Sequence, residues 1–211
     1  MVGLLNYFEP RVDFSLRGVP IVTSAQKAYI MLGKESLWHV ATRCHELFDS
    51  AQIPYSIARG VAVCLHGYQR NTTDIDLIIH ANDSQRVRES LVHAGFEWAP
   101  EKVEFRSPEG VTIQFLIAGH LAGKHAEVRI PEPTGELNVE HKEGLNVVRL
   151  SRLIEMKIAC GTGNLRRTHK DFADVVELIA IRQLDPSFAR YLHPSLRKTF
   201  KELVRVANDN Q

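Results

Sequence analysis

An α/β fold, a mixed β-sheet flanked by helices with a C-terminal helical segment, is predicted by three features of this 211-residue chain. Short apolar runs of strand-like composition alternate with helical patterns over the first two thirds, a hairpin signal interrupts that alternation, and from Ser151 onward the pattern is helical. With 44% hydrophobic and 24% charged residues, the chain can bury a core as one domain or as a core with a helical appendage. The expected division is residues 1–150 as the core, N-terminal helices included, and 151–211 as a helical appendage packed on it.

In chain order, an irregular or strand-like stretch to about Pro20 precedes helices at Ser24 to Leu32 and Ser36 to Ala51, the first ended by Gly33 and the second capped by Ser36. Tyr55 to Ala58 reads as a strand and Val61 to His66 as a short helix closed by Gly67, leading into an apolar strand that opens on Asp74 and Asp76. Ser84 to Ala94 is a helix stopped by Gly95. Lys102 to Arg106 and Val111 to Ile117 form a hairpin around Ser107-Pro-Glu-Gly110. Gly119 to Gly135, Gly- and Pro-bearing, is a loop of unusual length and so a functional candidate. Leu145 to Leu150 adds one strand. The final helices run to Ala207, with breaks at Gly161-Thr-Gly163, Asp185-Pro186 and His193-Pro194. No internal repeat or low-complexity segment is present.

The chemistry concentrates at Asp74 and Asp76. Residues two apart in a strand project from the same face, so both carboxylates can converge on one cation while Ile75 and Leu77 point the other way. Burying two like charges is costly unless something neutralises them, and a divalent metal suits two carboxylates. The short helix beginning near Gly60 brings unpaired N–H groups beside them, and such an end attracts phosphate. Together these describe a site for a nucleoside triphosphate carried with Mg2+ (or Mn2+).

These residues resemble the nucleotidyltransferase superfamily with the polymerase-beta-like core, in particular AbiEii-type toxins and minimal nucleotidyltransferases. That group pairs Gly-Gly/Ser and an apolar helix with Gly-x-x-Arg-x-Thr-x-Asp-x-Asp, followed by a third carboxylate on a later strand. Gly60, Gly67, Arg70, Thr72, Asp74 and Asp76 match it. Downstream, Leu153-Ile-Glu-Met-Lys157 and Arg167-Thr-His-Lys-Asp-Phe-Ala-Asp174 resemble the group's helical segment, with Lys157, Lys170 and Asp174 recurring. The resemblance implies a nucleotidyltransferase-like sheet, Asp74 and Asp76 as catalytic metal ligands, and Arg59, Gly60, Arg70, Thr72, Arg167 and Lys170 as nucleotide-binding residues.

Two positions depart from that pattern. Arg59 stands where the first glycine belongs, and its side chain either crowds the triphosphate or binds it as a charged donor. The third-acid position falls on Gln114, which can coordinate weakly through its carbonyl but cannot act as a general base. Glu104, on the paired strand, is the substitute acid that the sequence offers. Gln114 therefore separates two expectations. One is transfer of a nucleoside monophosphate from a nucleoside triphosphate to a hydroxyl on RNA, protein or a small molecule. The other is a catalytically degenerate fold acting as a nucleotide-binding or interaction module, for instance in a toxin–antitoxin pair.

Formal net charge is +1, which excludes nucleic-acid binding through bulk charge while leaving local patches open. Cys44, Cys64 and Cys160, odd in number and widely spaced, read as reduced thiols of a cytoplasmic protein. No apolar run approaches the length of a membrane span. His120 and His125 lack zinc-ligand neighbours and read as structural or surface residues, and Gly119-His-Leu-Ala-Gly-Lys124 lacks full Walker spacing and reads as a flexible loop. The basic run Arg166-Arg-Thr-His-Lys170 reads as the approach to an apolar helix at Phe172 to Ile181, where cations oppose the macrodipole unless an anion is bound. Lys157 and Glu155 are compatible with decorating a helix face. Asp171 and Asp174 could pair with Arg167, Lys170 or Arg182.

Overall fold

Helices α1 (Ala25–Met31) and α2 (Glu35–Ser50) lead into strand β1 (Tyr55–Ala58), helix α3 (Arg59–Leu65) and strand β2 (Asp74–Ile79) of a computed structural model that describes residues 24–163 and 165–209. Helix α4 (Ser84–His93), strands β3 (Glu97–Ala99), β4 (Glu104–Arg106), β5 (Thr112–Ile117), β6 (Val139–Lys142) and β7 (Leu145–Val148), and helices α5 (Leu150–Gly163), α6 (Leu165–Arg182) and α7 (Arg197–Asp209) follow. The strands form one seven-stranded mixed sheet in the order β3-β4-β5-β2-β1-β7-β6. β2 runs parallel to β5 and antiparallel to β1, and β1 runs parallel to β7. This is the α/β architecture expected from the alternation. The strand-like reading up to Pro20 lies outside the described residues.

Apolar composition explains the centre of the sheet. Ile57, Ile75, Leu77, Ile78, Ile113 and Val147 are almost wholly shielded from water, as expected for strands covered on both faces. α2 packs on α4, β2 and β7, while α3 contacts β1, β2 and α5. α5 and α6 pack so closely that a Cβ on Gly161 would fall 2.6 Å from the Phe172 ring.

Several sequence expectations need correction. Ser24 does cap α1, its hydroxyl accepting from the Lys27 N–H, but Ser36 lies inside α2. The Lys34 carbonyl already accepts the first helical bond, from Leu37 N–H at 3.0 Å, so α2 starts earlier and has no side-chain cap. β3 and β6 are additional strands, three and four residues long. They lie at the two edges of the sheet, where pairing with β4 and β7 compensates for weak local patterning. The basic run from Arg166 to Lys170 belongs to the first turns of α6 instead of preceding that helix.

The 119–135 segment is also more constrained than a flexible loop. Gly119 N–H donates to Ile130 O, Ala122 N–H to Val128 O and Ile130 N–H to His120 O, and Leu121 bridges Arg129. Its tip is seated on α5, because a Cβ on Gly123 would meet Ala159 O at 2.3 Å and one on Gly163 would meet Lys124 O at 2.5 Å.

Candidate nucleotide site

The site grows from the pairing of β2 with β5. Parallel register sets Asp74 beside Thr112, Asp76 beside Gln114 and Ile78 beside Leu116, and antiparallel register then sets Gln114 beside Glu104 on β4. Because paired residues share a face, Asp76, Gln114 and Glu104 form one polar row across three strands. Gln114 Nε2 donates to Glu104 Oε2 at 3.3 Å, and Glu104 is buried. The amide is thus turned toward the neighbouring acid.

Gly60 and Thr72 shape the approach to Asp74. Thr72, itself buried, donates its hydroxyl to Asp74 Oδ1 at 3.0 Å. A Cβ at position 60 would lie 2.4 Å from that hydroxyl oxygen, so glycine is what lets Thr72 close over the start of α3. Arg70 places Nε 2.9 Å from Asp174 Oδ1 and thereby ties the loop before β2 to α6. Tyr29 of α1, unremarkable in the sequence, lies within electrostatic reach of Cys64, Arg70 and Asp74, and burial pushes its phenol pKa up.

Arg59 reaches the second aspartate. Its Nη1 donates to Asp76 Oδ1 at 2.6 Å, with the Asp76 side chain 3% exposed and the Arg59 side chain 29% exposed. Burial pushes the Asp76 carboxyl above its ordinary value. Arg59 opposes that shift, Asp74 adds to it, and Arg167 also opposes it. Two guanidinium groups therefore act on the carboxylate that the sequence assigns to metal.

A second cluster continues from there. Lys157 Nζ donates to Asp171 Oδ1 at 2.7 Å and Asp174 Oδ2 at 2.5 Å, and all three residues are buried. Arg167 Nε lies 3.2 Å from Asp171 Oδ2. Lys157 and Glu155 thus belong to the interior, not to a decorated helix face. The signal was present: Lys157 falls on the stripe of Leu150, Ile154 and Gly161, positions that share one side of a helix. Glu155 accepts from His193 N–H and Arg152 and fixes α5 to the turn before Pro194. Lys170 is exposed and has no ion pair among the described residues, so the structure does not bring it to this cluster.

Arg59, Leu116, Met156, Lys157, Cys160 and Arg167 line the cleft beside Asp76. Four cations, Arg59, Arg70, Lys157 and Arg167, face four carboxylates, Asp74, Asp76, Asp171 and Asp174. Of those acids, Asp74 alone has no side-chain cation as ion-pair partner among the described residues. Nor does any group of three or more His, Cys, Asp or Glu among them stand close enough to hold a metal ion. A divalent ion seeks about six oxygen donors with surplus negative charge. With Asp76 held by Arg59 and a glutamine in place of the third acid, the donor set does not fit a resident pair of divalent ions.

A family model described as aminoglycoside-2''-adenylyltransferase matches residues 41–160, more than half of the chain. No curated protein matches it in sequence. Among solved structures, an antigenic nucleotidyltransferase-like protein from Paracoccidioides brasiliensis is 18% identical, with 82% of this chain and 85% of that one covered and a TM-score of 0.47. JHP933 from Helicobacter pylori is 15% identical, with 88% and 92% covered and a TM-score of 0.47. The antibiotic-resistance factor ANT(2'')-Ia, in a solution structure, is 10% identical, with 79% and 90% covered and a TM-score of 0.44. The family match carries the assignment, and these three likenesses add nothing to it. No described helix is long and apolar enough to cross a membrane.

Proposed function

We propose that this chain, which belongs to the aminoglycoside-2''-adenylyltransferase family, transfers a nucleoside monophosphate from a nucleoside triphosphate to a hydroxyl acceptor at the face bearing Asp74 and Asp76. One observation carries the placement: the two aspartates share a strand face next to a cleft that holds the partly exposed guanidinium groups of Arg59 and Arg167. The acceptor oxygen attacks the α-phosphorus, the bond from that phosphorus to the bridging oxygen breaks, and pyrophosphate leaves. The hydroxyl proton passes to Asp74, which Thr72 holds by one oxygen and which no side-chain cation partners among the described residues. Arg59 and Arg167 offset the charge of the phosphates, as planar guanidinium groups do well. Gly60 gives Thr72 its room and Arg70 anchors the loop. Arg167, rather than the exposed Lys170, is the member of the basic run that meets the triphosphate. Any Mg2+ arrives with the nucleotide as part of the substrate.

The acceptor class is a hydroxyl on a small molecule, an RNA or a protein. A second reading, a module that binds nucleotide without transferring it, is favoured by Gln114 spending its amide on Glu104. The test incubates the purified full chain with each α-labelled nucleoside triphosphate, Mg2+ or Mn2+, and cell RNA, cell protein or an aminoglycoside panel. Label transfer that Asp74→Asn abolishes supports the enzyme. Binding without transfer supports the module, and absence of both binding and transfer overturns both readings.

A further inference from the structure

We propose that Arg59 is a built-in cation of this site, its guanidinium taking at Asp76 the place that a divalent ion would otherwise hold, so that the triphosphate binds without a metal there. The proposal rests on the reading of the Asp74 and Asp76 face as the nucleotide site, and on four independent observations. First, Arg59 has φ +49°, in the left-handed region that an L-residue enters only when its surroundings hold it there. A glycine would take this backbone freely, whereas arginine carries a conformational cost here that a side-chain interaction can offset. Second, that interaction is on view: the 2.6 Å bond from Nη1 to Oδ1 of a nearly inaccessible carboxylate. Third, this bond leaves the other guanidinium N–H groups of Arg59 without a hydrogen-bond partner among the described residues, and its exposed part lines the cleft alongside Arg167. Donors left open beside a second guanidinium suit phosphate oxygens, which arginine binds two at a time. Fourth, three further acids are engaged, Asp171 and Asp174 with Lys157 and Glu104 with Gln114, which leaves Asp74, held by the Thr72 hydroxyl, as a single carboxylate beside the Arg59–Asp76 pair.

The position is therefore neither vacant nor merely obstructed. A fixed positive charge sits on the inner carboxylate and turns its free donors outward, toward the ligand. The class of ligand is the oligophosphate of a nucleoside triphosphate, with pyrophosphate, its leaving group, as the minimal fragment.

The experiment is calorimetric titration of the full chain with ATP and with pyrophosphate, in EDTA and in Mg2+, for wild type, Arg59→Lys and Arg59→Gly, with circular dichroism as the folding control. Wild type should bind in EDTA with an affinity within about threefold of that in Mg2+, a difference small beside the roughly tenfold that one charge-assisted hydrogen bond represents. Arg59→Gly should weaken binding in EDTA by about tenfold or more and become dependent on divalent ion. Arg59→Lys, which keeps the charge and loses the fork, should fall between and also serves if the glycine variant does not fold. Wild-type binding that occurs only with Mg2+ would overturn the built-in cation and leave the nucleotide site standing. Tighter binding by Arg59→Gly in EDTA would show Arg59 to be a plug. No binding of any triphosphate under any condition would overturn the site and the proposal together.

Discussion

Replacing Lys157 with methionine keeps most of the volume of the side chain and removes its charge from between Asp171 and Asp174. The ammonium lies 2.7 and 2.5 Å from the two acids, and the three side chains are 3%, 1% and 3% exposed. Deleting one partner of a buried pair costs about 3–5 kcal/mol when the other charge is stranded. Here each acid keeps one guanidinium, Arg167 on Asp171 and Arg70 on Asp174, so the lower end, about 3 kcal/mol, is expected. For a chain of this length about 1 kcal/mol moves Tm by roughly 2–4 °C, so Lys157→Met should melt roughly 6–12 °C lower. Urea unfolding followed by circular dichroism measures the loss, with an unchanged m confirming that the same surface unfolds. Adding Asp171→Asn should recover part of it, because the stranded charge is then removed. A loss below about 1 kcal/mol, the range of an exposed ion pair, would refute the buried cluster.

Three further outcomes follow from single contacts. Gly60→Ala drives a methyl to 2.4 Å from Thr72 Oγ1 and should cost about 1–3 kcal/mol in urea while abolishing the nucleotide-induced rise in Tm; wild-type stability would show that Thr72 is not confined there. Gln114→Met removes the donor to buried Glu104 and should cost about 1.5–3 kcal/mol, with Gln114→Glu costing more because it sets a like charge there; the opposite ranking would undo the row across the sheet. Burial lowers the pKa of His66, whose Nε2 donates to Val148 O, from 6.5 to about 4. The unfolded chain therefore binds the proton first, so this contribution is complete above pH 6.5 and is lost on acidification toward pH 4. A loss of about 3 kcal/mol is expected across that window, and a His66→Gln variant should show a correspondingly flatter urea-stability profile. An identical profile in that variant would move the effect to another group.

Much of the site was legible because its placement depends on short-range periodicity. A two-residue repeat puts Asp74 and Asp76 on one strand face, and a hairpin signal at Ser107 to Gly110 pairs Glu104 with Gln114. What charge meets what charge was legible only in part: Arg167 pairs with Asp171 four residues on, as the helical spacing allows. Asp171 and Asp174 had three neighbouring cations within a turn or two, yet their shared ammonium comes from Lys157 on α5, and Arg70 reaches Asp174 from the loop before β2. Ion pairs are chosen by distance and burial in three dimensions, which local spacing only samples. The edge strands β3 and β6 likewise draw their stability from partners and not from their own pattern.

The amino-acid sequence by itself determined the two-aspartate face and, apart from the edge strands, the α/β order, since both follow from residue type and local period, and its motif residues pointed to the nucleotidyltransferase superfamily. The tertiary structure decided what stands opposite that face. Arg59, seventeen residues before Asp76 in the chain, is brought onto it only by the antiparallel pairing of β1 with β2, which sets Ala58 beside Asp76. Once there, the cost of burying a lone carboxylate makes the guanidinium its partner.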